Sequence, residues 1–469
     1  MTRLRWRRIA LLVLCAGLSA LWGQRTRPEI RGGISLVDFG EIYYGARCAR
    51  HHQDAYDPHV VLREFKAEGG SFPTHGVPAK VAPIIVSINV NLPTALFLIA
   101  PFAMLPWAVA QTLWTILTIV LLVLAGYLMW SLSDNTAPAL SGFFVCLALA
   151  NCEQLLAVGN VAGIAVSLCV VACWCFLQQR CIACGVVLLA ISLALKPHDA
   201  GFVWLYFFLA GGAMRKRAVY TLAAVGILGI LATIWIAHAS PHWLRELHAN
   251  HVTVSNVGGT SDPALSGVTS GNVGSIIDLQ AALSVFGKDP HFYNWGSYLI
   301  IGPLILIWSV AAVGRRVTLE QAQLAIAAIA VLSLLPIYHR PYDAKLLILT
   351  IPACAMLWAE GGTKRWLSLA FTGTGIFLTS DIPLALFVSY SKTLFHSASI
   401  PADKAVIASL LPPLGLLATG IFYLMAYIRY SPKVSFHTHD HMADGPIVAS
   451  TNGVTERPNQ DWEQARLTV

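Results

Sequence analysis

The chain has 469 residues, of which 56% are hydrophobic and 12% charged, with a mean hydropathy of +0.64 and a formal net charge of +7. A soluble domain carries about 25% charged residues, so the composition excludes a water-solvated globule and calls for lipid around much of the surface. The basic surplus sits in short clusters beside apolar runs, with neither interleaved aromatics nor a soluble domain to carry them, which excludes nucleic acid as a partner.

Arg3, Arg5, Arg7 and Arg8 precede the first apolar run, residues 9–22. That run is short enough for a signal-peptide core, and residues 18–20 loosely suit cleavage. We read it as a retained anchor whose basic end is cytoplasmic. Residues 23–90 are polar and irregular and form the first extracytoplasmic loop. Six apolar segments follow, 91–105, 107–132, 137–158, 160–179, 181–195 and 199–213, before the cluster Arg215, Lys216 and Arg217. A chain that is outside at Val90 and inside at Arg215 crosses an odd number of times, so one of the six is not a full crossing. Asn151, Cys152, Glu153 and Gln154 interrupt 137–158, which is therefore expected to be broken or re-entrant.

Runs 218–237, 298–313, 318–337, 344–360, 366–388 and 406–428 then alternate across the membrane, with a second large extracytoplasmic loop at 238–297. The tail 431–469 is polar and expected to be disordered in the cytoplasm. The expected fold is an all-α, polytopic integral membrane protein over residues 1–430, with about 12 transmembrane helices plus the broken segment and both termini cytoplasmic. Nine of the ten cysteines lie in or beside apolar runs. Cys181 and Cys184 have CxxC spacing without a second ligand pair, so they are expected to pack between helices.

Under this topology the unusual polar groups collect on the extracytoplasmic face, where ionisable residues near lipid mark a functional site. Asp38 is either a general base for an acceptor hydroxyl or a solvated helix cap. Glu41 lies one turn on and suits either the site or a surface pair with Arg47. Lys196 offers a point charge for a phosphate or is a snorkelling flank residue. Arg340, beside His339, suits bidentate phosphate contact or a pair with Asp343. Tyr43, Tyr44, Asn160 and His198 are further candidates for lining the site. His242, His248 and His251 lack a metal-ligand spacing with carboxylates and read as interfacial residues, so neither metal nor cofactor is expected.

Four segments carry a resemblance. They are residues 38–44 with Tyr56-Asp57-Pro58; residues 91–97 with Pro101 and Leu105-Pro106; Gly159-Asn160-Val161 with Leu195-Lys196-Pro197; and residues 338–343. Over roughly residues 8–430 the chain resembles glycosyltransferase family 87, membrane enzymes of the GT-C fold. It departs from the pattern at Asn160, where glutamine is expected, and at Leu92, where a second proline is. The resemblance implies inverting transfer of a hexose, often mannose, from a polyprenyl-phosphate donor to a lipid or glycan acceptor. It implies Asp38 as base, Lys196, Arg340 and His339 at the donor phosphate, and no required metal. The alternative is a transporter or flippase of a lipid-linked or anionic solute. The deep segments 107–132, 218–237 and 366–377 are almost free of charge, which favours a one-sided enzyme.

Overall fold

The computed structural model describes residues 3–26, 36–70, 86–266, 276–313, 318–381 and 402–430. The expected tail at 431–469 lies outside them, as do the end of the expected run 366–388 and parts of both large loops. In chain order the helices are α1 (Arg3–Thr26), α2 (Val37–Arg50), α3 (Pro58–Ala67), α4 (Pro93–Ile99), α5 (Trp107–Ser131), α6 (Pro138–Ala150), α7 (Glu153–Val158), α8 (Ala162–Leu177) and α9 (Ile182–Leu195). They continue with α10 (Pro197–Leu209), α11 (Gly212–Ala239), α12 (Trp243–Ser255), α13 (Leu279–Ser284), α14 (Pro290–Ala312), α15 (Leu319–Leu332), α16 (Ile351–Glu360), α17 (Gly362–Leu378) and α18 (Ala402–Arg429). Among the described residues there is no strand, in keeping with a backbone that must satisfy its own polar groups in lipid.

Among the described residues, five stretches are long and apolar enough to cross a bilayer: Trp107–Ser131, Pro138–Val158, Gly212–Ala239, Pro290–Ala312 and Ser409–Arg429. α8, α9 and α15 are shorter apolar helices. Every residue of α15 from Gln321 to Leu332 is buried, and α8 is buried on nearly every side. Helices apolar all round belong at the centre, and the main core forms about these two. On the outer helices Ile227, Ile230, Ile234, Leu299, Leu306 and Val310 are 62–71% exposed. Apolar faces of that extent are stable against lipid rather than water. Cys181 and Cys184 are exposed as well, so the expected packing between helices does not occur.

A second, smaller core unites α2, α3 and α4 with the tops of α5 and α11. Phe39 stacks on Trp114 with ring centroids 4.6 Å apart, and Trp107 lies against Tyr43 and Tyr44.

The expected interruption is present at Asn151-Cys152, and a further one falls within the segment before α5. Residues 91–105, expected as a crossing, contain only the seven-residue α4 and the short 3-10 turn Phe102–Met104. α4 is about 10 Å long against roughly 30 Å of hydrocarbon. Tyr43 donates to the Leu105 carbonyl and Arg50 to that of Ala103, which ties this segment to the first loop. At the far end of α5, Asp134 pairs with Arg8, so α5 runs from the side of the first loop to the side of the N-terminal arginines. Residues 138–158 are interrupted, as expected, but α6 and α7 together are long enough to return.

The interruption at Asn151-Cys152 is satisfied from three directions. Lys345 donates to the carbonyls of Ala148 and Asn151, Ser19 of α1 accepts from the Cys152 amide at 2.8 Å, and Asp381 accepts from the Gln154 amide at 3.0 Å. Lys345→Met leaves both carbonyls without their charged donor and is expected to cost about 2–4 kcal/mol. Thermal unfolding of the detergent-solubilised protein checks this. An unchanged midpoint would assign the carbonyls' satisfaction to water.

Candidate active site

Asp38 stands in the first turn of α2, where the helix N-terminus favours negative charge. Its Oδ2 accepts from Asn160 Nδ2 at 2.7 Å. Asn160 is oriented by its own Oδ1, which accepts from the Ala162 amide at 2.9 Å and closes the turn that enters α8. The approach is fixed by Gly159, whose φ of +67° suits glycine. A Cβ there would meet Leu36 and Phe39 at 3.0 Å. The Leu36 amide donates to Ala157 O at 3.0 Å, and Trp114 Nε1 donates to Gly159 O at 2.9 Å. The turn after α7 is thereby stitched to the start of α2.

Glu41 Oε1 accepts from the Val90 amide at 3.0 Å and from Asn91 Nδ2 at 2.9 Å. Burial pushes this carboxyl up to about 8 despite those bonds, and the nearby charge of Asp38 adds to the rise. The expected pair of Glu41 with Arg47 does not form. Arg47 instead binds Glu64 at 2.9 Å and Glu68 at 2.8 Å.

Lys196 links α9 to α10. Its ammonium contacts Asp343 Oδ1, lies 3.5 Å from Asp199 Oδ2 and sits over the Tyr342 ring at 5.1 Å. The expected pair of Arg340 with Asp343 is made by the backbone, because the Arg340 amide donates to Asp343 Oδ2 at 2.8 Å. The Arg340 side chain reaches Tyr338 and donates to the Thr260 carbonyl at 2.8 Å. Burial lowers the pKa of this guanidinium, but Tyr338, Tyr342 and Asp38 outweigh it and hold the group above its ordinary value. That field joins the first-loop aspartate to the 338–343 segment.

His339 is fully buried. Its amide donates to Asp278 Oδ2 at 3.2 Å, its carbonyl accepts from Ile277, and its Nδ1 faces the Ile337 carbonyl at 2.9 Å. Nε2 lies 3.5 Å from Asp199 Oδ1. Burial works against protonation of this ring, and the approach of Asp199 with the charge of Asp343 reverses the effect, so its pKa is raised. Asp278, buried beneath, caps α13 through the Ala281 amide at 2.9 Å. Burial pushes it up to about 7, against the pull of the Ala281 amide and of His339. His198 packs on His339 with ring centroids 5.1 Å apart.

The structure thus brings together Asp38 and Asn160, and separately Lys196, His198, Asp199, His339, Arg340 and Asp343, with the Asp38–Arg340 field between the two groups. It does not bring Tyr43 and Tyr44 to the site. Tyr43 is fully buried with its hydroxyl on Leu105 O, and Tyr44 packs against Phe65 and Trp107. Asp278 and Lys345 were missed by the sequence reading. Asp278 lies in a polar loop where an acid draws no notice, whereas Lys345, a charge among apolar residues, was a visible signal. Among the described residues, the side chains grouped closely enough to hold a cation are His198, Asp199 and His339, rather than the loop histidines His242, His248 and His251.

The chain is significantly similar to no curated protein and to no solved structure. The sequence model of glycosyltransferase family 87 matches residues 90–337, more than half of the chain. Asp38 and the 338–343 segment flank that match. The match, together with several helices apolar enough to span a bilayer, makes the chain a membrane glycosyltransferase that belongs to glycosyltransferase family 87.

Proposed function

We propose that the protein transfers a hexose, mannose foremost, from a polyprenyl-phosphate donor to a hydroxyl of a lipid or glycan acceptor on the extracytoplasmic face of a cell membrane. The single observation that carries this is the Asp38 carboxylate, held by Asn160 and coupled electrostatically to Arg340, beside the cationic segment of Lys196 and His339. An acid that receives a proton and cations that receive a phosphate are what transfer from a sugar phosphate requires.

The acceptor hydroxyl gives its proton to Asp38 as its oxygen bonds to the anomeric carbon. The bond from that carbon to the phosphate oxygen breaks on the opposite face, and its electron pair leaves with the polyprenyl phosphate. Lys196, Arg340 and His339 stabilise the departing charge, and inversion follows from attack opposite the leaving group. Glu41, held neutral by burial, leaves Asp38 as the charged carboxylate of α2.

Asp38→Asn is expected to lower sugar transfer about 10²–10⁴-fold, the usual worth of a general base. Asn160→Ala is expected to lower it about 10- to 100-fold, the worth of one hydrogen bond to a charged group. Radiolabel transfer from polyprenyl-phosphate mannose in membranes with matched protein levels measures both. Equal transfer by wild type and Asp38→Asn would remove Asp38 from the chemistry. Absence of transfer by wild type would send the donor assignment back to other lipid-linked sugars.

Stability carries a second expectation. The folded Glu41 carboxyl titrates at about 8 against 4.5 for a free one, so the native state holds a proton that the unfolded chain releases. Its stabilisation is complete below about pH 4.5 and is lost as pH rises toward 8, at up to about 1.4 kcal/mol per pH unit. Glu41→Gln keeps an acceptor for Val90 and Asn91 and should flatten this fall. A wild-type unfolding midpoint that stays level from pH 5 to 8 would contradict a neutral Glu41.

A further inference from the structure

Asp199 Oδ1 lies 3.7 Å from His198 Nε2 and 3.5 Å from His339 Nε2, and the three ligand atoms lie within 4.8 Å of one another. These separations exceed a hydrogen bond of about 2.7–3.2 Å. The two distances from Asp199 are close to the about 3.3–3.5 Å that separates nitrogen and oxygen ligands held at about 2.0–2.2 Å on a tetrahedral ion, and the two imidazole nitrogens, within 4.8 Å of each other, would close around it. No neighbour reaches either Asp199 oxygen or His339 Nε2 at hydrogen-bond distance, which leaves these buried atoms only the longer ion pairs among Lys196, His198, Asp199 and His339, a costly state unless another group completes them.

The surroundings orient these atoms for coordination. His339 Nδ1 faces the Ile337 carbonyl, which holds one ring hydrogen there, and a divalent ion at Nε2 takes the place of the second proton that Asp199 attracts to the ring. Lys196 approaches Oδ2 of Asp199, not Oδ1, and is shared with Asp343. The carboxylate therefore offers one oxygen to the lysine and the other to the histidines. His198 is 33% exposed, while Asp199 and His339 are closed off, so the cluster opens on the His198 side alone.

We propose that His198, Asp199 and His339 form a three-ligand site for a divalent transition-metal ion of the zinc class, with a fourth position open beside His198. Two imidazoles and a carboxylate suit such an ion, and three protein ligands leave room for an exchangeable oxygen. Lys196, Asp199 and Asp343 sum to one negative charge, which a divalent ion turns to one positive. The open position then takes an anionic oxygen. On the donor reading above, which this clause alone rests on, that oxygen belongs to the sugar-donor phosphate.

The test uses the full-length protein in detergent, stripped with a chelator and titrated with cobalt(II), with sugar transfer measured on the same samples. The expected result is one equivalent of cobalt per chain with the visible absorption of tetrahedral coordination, displaced by zinc. His198→Ala, at the partly exposed ligand, should weaken binding more than about tenfold, and His248→Ala should leave it unchanged. No visible absorption on titration, or binding unaltered in both His198→Ala and Asp199→Asn, overturns the site. Metal binding without transfer supports the ion and counts against the donor reading. Full transfer by metal-free protein that binds no cobalt overturns the ion and leaves the transferase.

Discussion

A helix interrupted within a bilayer exposes carbonyls and amides that lipid cannot satisfy, and much of this structure depends on how that debt is met at Asn151-Cys152. Lys345 takes the carbonyls that end α6, while Ser19 and Asp381 take the amides that begin α7. A cation at the C-terminal end of one helix and an acid at the N-terminal end of the next also match the helix dipoles. The three partners come from α1, from the 3-10 stretch after Asp343 and from the end of α17, so distant parts of the chain converge on one kink. What the kink delivers is α7 and the turn behind it, and with them Gly159 and Asn160 against Asp38. The hydrogen bond that orients the candidate base is thus the far end of a backbone problem solved deep in the bundle.

The second cluster follows a different physical logic. Asp199 and Asp343 are both fully buried acids, and neither could remain so without nearby positive charge. Lys196 serves both, and Asp343 in turn closes the 340–343 turn through the Arg340 amide. The lysine lies at the α9–α10 junction because Pro197 opens α10 and leaves Lys196 in an extended conformation between the two helices. Sequence order, Lys-Pro-His-Asp, then sets lysine, histidine and aspartate within reach of one another. His339 is inserted from above on a segment stitched to Ile277, Asp278 and Leu279. The second large loop therefore acts on the site through its backbone as much as through its side chains.

Much of this was legible in the chain itself. Charge scarcity and long apolar runs were enough for an all-helical membrane protein, and the gathering of Asp38, Lys196, His339 and Arg340 on one side followed from parity and basic clusters. Less legible was the break within 91–105, because apolar composition does not reveal that Pro93, Pro101 and Pro106 cut the segment into short pieces. The polar residues of 151–154 do mark a break, but the distant partners that satisfy it lie far off in the chain. Tyr43 and Tyr44 were candidates for lining the site because they lie with Asp38 in the 38–44 segment. Helical periodicity around Phe39 and Ile42 turns them into the small core instead. Asp199 as a partner of His339 was beyond reach, since one lies in α10 and the other in the irregular segment after α15, and only packing unites them.

The residues matched by the family model end at 337, one position before the 338–343 segment, and begin well after Asp38. The matched portion is therefore chiefly scaffold: the kinked α6–α7 pair, the central α8 and α15, and the α9–α10 junction. The candidate base and the cationic segment are brought to it from either side, one by the small core over α5, the other by the stitching of 335–339 to α13. Such an arrangement lets rigid helices set the distance between the two halves of the site while the flanking segments set what binds between them. It also explains why Asn160 and Lys196 matter more than their exposure suggests. They are the two points at which the scaffold touches the chemistry, one through Asp38 and the other through Asp199 and Asp343.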